Sequence, residues 1–478
     1  MQTKTAKRSR WVPIATFLAI QAVLACWWAA FYPGLFSRDS VLYLRHTMAG
    51  PWVSDHSVAY DGLLWLSMRM TGDVGLVTLL QTTAMAAVLT YLAGALKALG
   101  APRRSTTAIA ILLPLLPPVG AFAVALWKDV PFTLCAVAIA AVCAGLAANR
   151  TLTGARLVAL GGLMTALGLF RANGFLVVAV ALVVLVVVVR TRRSWLAVVG
   201  AAAAAVPLLL SNVVLPHVGI SAPSSTYVYH TAFGDVAVLY RDHPELFTDR
   251  DQTLMTAVAP LSRWREGGTC HTINTLIWRR DFSWQQADKH AGKLLGLWKR
   301  LLLEHPGLIV EARLCRGQIA WWPAENTWAV GGETYHFSLR PTAETYIGPG
   351  KVPDYPERQV FSLRPKSPDL HRVAEAWLIG STQYDSLIWR GALWAYLSYV
   401  AVALGAWALR NRYVVAVAAV VAGQQLAILA NISAQDFRYM ATPIYVGMLL
   451  LPLLVSAAWR LVRRGVFERP SRRDRPAE

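Results

Sequence analysis

The stretch YPGLFSRDS holds the first pair of residues suited to chemistry, because Arg38 stands directly before Asp39 just beyond an apolar segment. A carboxylate at the edge of a low-dielectric region can accept the proton of an attacking hydroxyl. Asp39 is therefore a candidate general base, and Arg38 is a candidate contact to the substrate. The alternative is that Asp39 only caps a helix that begins at Ser40.

A second ionisable pair, Lys128 and Asp129, stands in the segment WKDVPF between two apolar runs. Ionisable residues at the border of an apolar run are costly and are often kept for function. Lys128 can bind a phosphate group while Asp129 orients that group or a partner. Alternatively, Lys128 extends its ammonium group to the membrane interface and Asp129 caps the following helix.

Two arginines occupy similar positions: Arg171 in the turn RANG, and Arg438 beside Tyr439 in QDFRYM. A guanidinium group offers two parallel donors that match the oxygens of a phosphate. One such arginine is most often an interface anchor. Two of them together with Lys128 predict a convergent cationic site for an anionic ligand embedded in the membrane, with Tyr439 as a further contact.

His46, Asp55 and His56 complete the polar set of the loop that follows the first apolar segment. Two histidines and an aspartate can bind a metal ion, but their spacing matches no dedicated metal motif. We therefore expect hydrogen bonds here, or a contact to substrate from His56, rather than a metal site.

Five cysteines are present, and of these Cys270 and Cys315 are the two that lie in the long polar segment. If this segment faces an oxidising compartment, a disulfide between them is expected. Their spacing leaves this hypothesis open, because it says nothing about geometry.

The amino-acid composition indicates whether these residues are positioned in a water-soluble protein or in a membrane protein. Of the 478 residues, 55% are hydrophobic and 15% are charged, so the chain is too apolar for an ordinary soluble protein. The net charge of +19 lies in short clusters between apolar runs. This pattern indicates membrane topology and not nucleic-acid binding.

About ten stretches are apolar enough to form transmembrane helices, and the first lacks a signal-peptide cleavage site. They lie near residues 11–31, 74–98, 106–126, 130–148, 155–170, 174–190, 195–215, 387–409, 413–431 and 440–460. Ten crossings place six clusters of positive charge on one side, which the positive-inside rule assigns to the cytoplasm together with both termini. The ionisable residues described above then lie on the extracytoplasmic side.

The expected fold is an all-α polytopic membrane protein in four parts. Residues 1–215 form an N-terminal transmembrane module of about seven helices, with two membrane-surface helices in its first outer loop. Residues 216–385 form a mainly helical extracytoplasmic domain, inserted before the last three helices. Residues 386–465 supply those helices, and residues 466–478 form a basic cytoplasmic tail.

This pattern resembles the GT-C superfamily of membrane glycosyltransferases, which use a sugar linked to a polyprenyl phosphate. The motifs that carry the resemblance are YPG before Asp39, a later Asp-His pair, WKD, the turn RANG and a late Arg-Tyr pair. They look most similar to a bacterial branch of polytopic envelope glycosyltransferases. The family pattern implies catalytic roles for Asp39 and Asp129. The chain departs from it by lacking paired acidic residues in the first loop and by carrying its polar domain before the last three helices.

The resemblance implies an inverting transfer of a hexosyl or pentosyl group to a hydroxyl of a cell-envelope glycan, lipid or protein, at the extracytoplasmic face of the plasma membrane. Asp39 would deprotonate the acceptor, and Lys128, Arg171 and Arg438 would stabilise the leaving polyprenyl phosphate. A Mg or Mn ion stays open as a cofactor. The alternatives are a transporter or flippase of lipid-linked saccharides, and an oligosaccharide ligase or polymerase. A transporter is expected to show internal repeats, and none is evident.

Overall fold

The computed structural model describes residues 2–324 and 362–467, and in these ranges the architecture is helical, with isolated bridges as its β structure. The α-helices are α1 Gln2–Ala30, α2 Arg38–Met48, α3 Val58–Thr71, α4 Gly75–Leu99, α5 Arg103–Leu112, α6 Pro117–Ala123, α7 Asp129–Asn149, α8 Gly154–Phe170, α9 Gly174–Val188, α10 Arg193–Leu209, α11 Leu215–His217, α12 Ser225–Asp242, α13 Asp249–Thr256, α14 Leu261–Gly267, α15 Asn274–Ile277, α16 Trp284–Glu304, α17 Pro306–Arg316, α18 Gln318–Trp321, α19 Pro368–Gly380, α20 Gly391–Ala408, α21 Ala419–Ala430 and α22 Ala441–Phe467.

Seven helical stretches of the described part are long and apolar enough to cross a membrane, and the bent pair α5 and α6 is an eighth candidate. The seven are Trp11–Ala30, Gly75–Leu99, Asp129–Asn149, Arg193–His217, Pro368–Ala408, Arg412–Ala430 and Phe437–Arg464. Helices α8 and α9 are apolar but have only 17 and 15 residues, whereas a straight crossing takes roughly 20. The chain thus has the composition and the helices of a multi-pass membrane protein.

The single helix predicted over residues 106–126 is wrong, because the chain bends by 62° between α5 and α6. Proline lacks the backbone N–H and its ring clashes with the preceding turn, so Pro114 and Pro117 interrupt the helical hydrogen bonds. The indole of Trp27 in α1 donates to the carbonyl oxygen of Pro114 at 2.8 Å. Gly120 has no side chain at the point where this indole packs. The break is therefore filled by a neighbouring helix.

One end of the helical bundle carries several of the basic clusters, and we call it the arginine-rich end. Arg412 donates to the carbonyl of Val188 at 2.7 Å, and Arg460 donates to the carbonyl of Gly100 at 3.1 Å. Arg150 reaches the C-terminal end of α20. Helix C-termini leave carbonyl groups unpaired and carry partial negative charge, so arginine stabilises them.

At the opposite end, two short helices, α2 and α3, follow the first apolar segment, and their location along the membrane surface stays a prediction. A parallel backbone bridge joins the start of this loop to the loop before α7. The N–H of Leu35 donates to Val124 at 2.9 Å, and the N–H of Leu126 donates to Leu35 at 2.9 Å. The hydroxyl of Ser40 donates to the carbonyl of Leu126 at 2.8 Å. Two loops that are far apart in sequence are therefore held side by side.

The polar insertion is helical from α12 to α18 and has its own apolar core, in which Phe233, Trp264 and Leu294 are fully buried. Helix α18 of this part packs into the main bundle. There the side chain of Gln425 donates to the carbonyl of Ala320 at 2.7 Å. Cys270 and Cys315, the pair for which a disulfide was expected, are joined in the structure, with their Cα atoms 5.7 Å apart.

A buried ion pair holds α12 against α17, and its loss should destabilise the protein. Asp235 and Arg316 are fully buried and lie 2.7 Å apart, and Arg313 contacts the same carboxylate at 2.6 Å. Asp235→Ala leaves two guanidinium groups without this carboxylate, so we expect a loss of about 3–5 kcal/mol in the free energy of unfolding. Thermal unfolding in detergent, followed by circular dichroism, measures this loss.

Asp242→Ala is the matched control, because Asp242 pairs with Arg241 at 2.7 Å on the surface. Exposed ion pairs contribute little, so the control should lose less than about 1 kcal/mol. An Asp235→Ala protein that is as stable as the control would contradict the prediction.

Candidate functional site

Three aspartates and two arginines meet at the end of the bundle away from the arginine-rich end, and we call them the aspartate–arginine cluster. They are Asp39, Asp129, Arg171, Asp436 and Arg438. Four of these residues come from sites predicted from the sequence, and all four are in contact within the cluster. Asp436 was not predicted.

Arg438 is the centre of the cluster, since its guanidinium group contacts all three carboxylates. Its Nη1 lies 2.6 Å from Asp39 and 3.7 Å from Asp129, and its Nε lies 2.8 Å from Asp436. The guanidinium carbon lies 4.6 Å from the centre of the Trp127 ring, so a flat aromatic surface supports the cation. Arg438 is therefore the shared partner of the three carboxylates.

Asp129 and Arg171 form the second ion pair of the cluster, 2.5 Å apart. Asp129 is the first residue of α7, and its side chain is only 2% exposed. The guanidinium of Arg171 stacks on the ring of Tyr439 at 4.2 Å, and the hydroxyl of Tyr439 accepts a long hydrogen bond from Arg438 at 3.4 Å. Tyr439 therefore packs against both arginines.

The position of Asp39 follows from the start of α2. Ser37 is the N-cap and forms a reciprocal capping box with Ser40. The alternative that Asp39 caps a helix beginning at Ser40 is wrong, because the helix begins one residue before Asp39 and another side chain caps it. The Asp39 side chain is thus free to contact Arg438.

The carboxylate of Asp39 is the accessible one of the cluster, with 32% of its side chain exposed against 2% for Asp129 and 3% for Asp436. Burial raises the pKa of Asp39, but the charges of Arg438 and Lys128 outweigh this effect and hold its pKa well below the ordinary value. Asp39 is therefore ionised at neutral pH.

Lys128 lies beside the cluster at the residue that precedes α7 and is half-buried. Within residues 2–324 and 362–467, its ammonium group has no hydrogen bond or ion pair. Burial lowers the pKa of Lys128, and the nearby carboxylates of Asp129 and Asp39 partly counteract this change. Lys128 is a cation whose donors are available to a ligand. The alternative in which Asp129 caps α7 has no support, since no side chain makes a cap hydrogen bond there.

The loop that carries Lys128 is joined to the loop that carries Asp39 by a side-chain contact as well as by the backbone bridge. The indole of Trp127 donates to the hydroxyl of Ser37 at 2.5 Å. Trp127 thus contacts the N-cap of α2 through its nitrogen and Arg438 through its ring face.

His56 lies where the insertion contacts the first loop. Its Nδ1 and the hydroxyl of Tyr227 in α12 share a hydrogen bond of 3.0 Å, and its ring packs edge-on against Tyr43. Burial lowers the pKa of His56 to about 4, and Lys128 adds to this effect. The imidazole is therefore neutral at pH 7 and can donate one hydrogen bond to a ligand.

The polar residues of the first loop form separate pairs and do not converge on one point. His46 contacts Asp61 at 3.4 Å, whereas His56 lies 3.8 Å from Asp55. In the part of the chain that the structure describes, the one group of three such residues within 4.8 Å is Cys270, His271 and Cys315, and its two cysteines are joined in the disulfide.

The aspartate–arginine cluster itself does not fit a Mg or Mn ion. Such ions need several carboxylate oxygens that face a common point. Here the guanidinium group of Arg438 already lies between the oxygens of Asp39, Asp129 and Asp436. A cation at that point would meet a positive charge.

Two residues of the site were missed from the sequence, and the side chain of one predicted residue, Arg38, lies outside the described residues. Asp436 was not predicted although it stands two positions before Arg438. An acidic residue just before an apolar run can be a helix cap. In the structure Asp436 is both a helix cap and an ion-pair partner of Arg438. Tyr227 was missed because nothing in its local sequence indicates a contact with His56.

The stability of the site is expected to depend on pH through Asp436. Burial raises the pKa of its carboxyl from 3.8 to about 7, although Arg438 counteracts the rise. Because the pKa of Asp436 is higher in the folded protein than in the unfolded chain, binding of a proton to Asp436 stabilises the folded state. This stabilisation is complete below about pH 4 and is lost as the pH rises through 7. The difference between these two pKa values corresponds to roughly 4 kcal/mol in the free energy of unfolding.

Thermal unfolding of wild type and Asp436→Asn from about pH 4 to pH 8 measures this contribution. We expect the wild type to lose stability relative to the variant across this range. Parallel pH profiles would contradict the assignment.

No family model, curated protein or solved structure matches this chain.

Proposed function

We propose that this protein is a GT-C-type glycosyltransferase. It moves a hexosyl or pentosyl group from a polyprenyl-phosphate donor to a hydroxyl of a cell-envelope glycan, lipid or protein. The observation that carries the proposal is the aspartate–arginine cluster, in which the accessible carboxylate of Asp39 lies 2.6 Å from Arg438 beside Lys128, whose ammonium group is unpaired among the described residues. A base and phosphate-binding cations are the groups that this transfer needs.

The reaction is a single displacement with inversion. The oxygen of the acceptor hydroxyl forms a bond to the anomeric carbon of the sugar while the bond from that carbon to the phosphate oxygen breaks. Asp39 takes the proton of the hydroxyl, and polyprenyl phosphate leaves with the bonding electrons. A phosphate is stable as an anion, so the leaving group needs cations rather than a general acid.

Asp39 is a weak base while Arg438 contacts it, because the guanidinium group lowers its pKa. A donor phosphate competes with the carboxylate for the same two-pronged group. Binding of the donor therefore draws Arg438 from Asp39 and raises the basicity of the carboxylate at the moment when a base is needed. Lys128 supplies a second contact to the phosphate, and Asp129 keeps Arg171 in place.

The proposed location follows from the charge distribution. The arginine-rich end faces the cytoplasm by the positive-inside rule, which places both termini inside and the cluster at the outer face of the plasma membrane. Polyprenyl-linked sugars are available there to a site at the membrane boundary.

Transfer of a radiolabelled sugar from a polyprenyl-phosphate donor by the purified protein in detergent tests the proposal. A labelled product that depends on the protein is the expected result. In parallel, proteoliposomes loaded with the same lipid report any movement across the bilayer. Movement of the lipid without transfer would replace the proposal with the flippase alternative, and neither activity with any donor would reject both.

A further inference from the structure

The short loop that leads into the aspartate–arginine cluster is clamped by the polar insertion. Thr272 forms an antiparallel bridge with Ala434, and the N–H of Ile273 donates to the carbonyl of Ser433 at 2.9 Å. This loop ends at Asp436. A segment of the insertion is therefore paired, backbone to backbone, with the residues that precede the cluster.

The next residue of the loop, Gln435, contacts both arms of the Cys270–Cys315 disulfide. Its side chain is fully buried. Its Nε2 lies 3.2 Å from the carbonyl oxygen of Cys315 and 3.2 Å from Nδ1 of His271, which directly follows Cys270. Opening the disulfide frees the two segments that hold Gln435.

Asp436 connects Gln435 to Arg438, because it follows Gln435 in the chain and its carboxyl group contacts Arg438. One oxygen of Asp436 accepts a hydrogen bond from the backbone N–H of Arg438 at 3.1 Å, and the other lies 2.8 Å from its Nε. Asp436 therefore determines both where the final helical segment begins and where the guanidinium group of Arg438 points. Disulfide, Gln435, Asp436 and Arg438 form one continuous chain of contacts.

The disulfide is also within reach of a reductant. Both cysteines are half-buried. Cys315 and His271 line a groove of about 440 Å³ together with Gln318, which is large enough for a small dithiol.

We propose that the Cys270–Cys315 disulfide is a positioning element for Arg438 and that it makes phosphate binding at the cluster sensitive to thiol redox state. The phosphate ligand in this inference rests on the proposed function. A dithiol reduces the disulfide with two electrons and two protons, gives the thiols of Cys270 and Cys315, and is itself oxidised to a disulfide. The reduced protein holds Gln435 less tightly, and Arg438 loses its fixed direction.

The test compares oxidised full-length protein in detergent with the same protein after treatment with dithiothreitol. Hydrogen exchange of the amides of residues 431–440 measures the loop, and the dissociation constant for farnesyl phosphate measures the site. We expect faster exchange and an affinity at least tenfold weaker after reduction. Gln435→Ala should weaken binding in the oxidised protein, and reduction should add little further loss.

The free thiols provide the control. Cys26 lies in α1, away from these contacts, so Cys26→Ser should respond to dithiothreitol as the wild type does. Unchanged exchange after reduction would overturn the proposal, and so would faster exchange with unchanged affinity. A wild type that binds no farnesyl phosphate in either state would count against the proposed function, and the exchange rates alone would then decide whether the disulfide holds the loop.

Discussion

Asp39→Asn is expected to reduce the rate of sugar transfer by a factor of roughly 100 to 10,000, which is the usual loss when a general base is removed. Asparagine has nearly the same shape as aspartate, but its amide cannot take the proton of the acceptor hydroxyl. Arg438 keeps its contacts with Asp129 and Asp436 in this variant. The Michaelis constant for the donor should therefore not rise, and the loss should appear in kcat.

Asp242→Asn is a suitable control, since Asp242 is an exposed aspartate of the insertion and lies outside the cluster. Size-exclusion chromatography and thermal unfolding verify that both variants are folded. Full activity of a folded Asp39→Asn protein would remove Asp39 from the mechanism. Asp129 would be a poor replacement as base, because it is nearly inaccessible and is paired with Arg171.

Arg438→Gln should have two separable effects. It leaves the carboxylates of Asp39 and Asp436 without their guanidinium partner, whereas Asp129 keeps Arg171, and we expect a loss of about 3–5 kcal/mol in the free energy of unfolding. It also removes the proposed phosphate contact, so transfer should fall at least tenfold below wild type. Thermal unfolding and donor kinetics measure the two effects independently.

A double variant separates the effect of Arg438→Gln on stability from its effect on sugar transfer. Asp436→Asn combined with Arg438→Gln removes one negative charge together with the positive one, so most of the stability should return while transfer stays low. Arg438→Lys keeps the charge but loses the two-pronged group, and we expect a stable protein with a higher Michaelis constant for the donor. Wild-type stability and wild-type kinetics in Arg438→Gln would contradict the central position given to this arginine.

The alternation of apolar runs was enough to predict that Asp39, Lys128, Arg171 and Arg438 lie at the same end of the bundle. An odd or even number of crossings determines the side of each loop, and this requires no knowledge of contacts. It does not determine which atoms meet. That Arg438 contacts three carboxylates depends on the backbone bridge at Leu35 and on packing, neither of which has a signature in the sequence.

Two other features show where hydropathy misleads. The run 106–126 is apolar throughout, so it was read as one helix, although Pro114 and Pro117 are local signals that a helix is interrupted. The hydrogen bond between Tyr227 and His56 joins the insertion to the first loop. It joins residues 171 positions apart, and such a contact becomes visible only when the surrounding helices have been positioned.

Arg438 and Asp39, which form an ion pair, are 399 positions apart in the sequence. This separation has a consequence for biosynthesis. A ribosome adds roughly 5–20 residues per second, so more than about 20 s pass before a newly made Asp39 meets its partner. Asp129 acquires Arg171 much earlier. During this interval the carboxylate of Asp39 lacks its guanidinium partner, which only the final helical segment supplies. The aspartate–arginine cluster is thus completed only when the last helical segment of the described chain has been made.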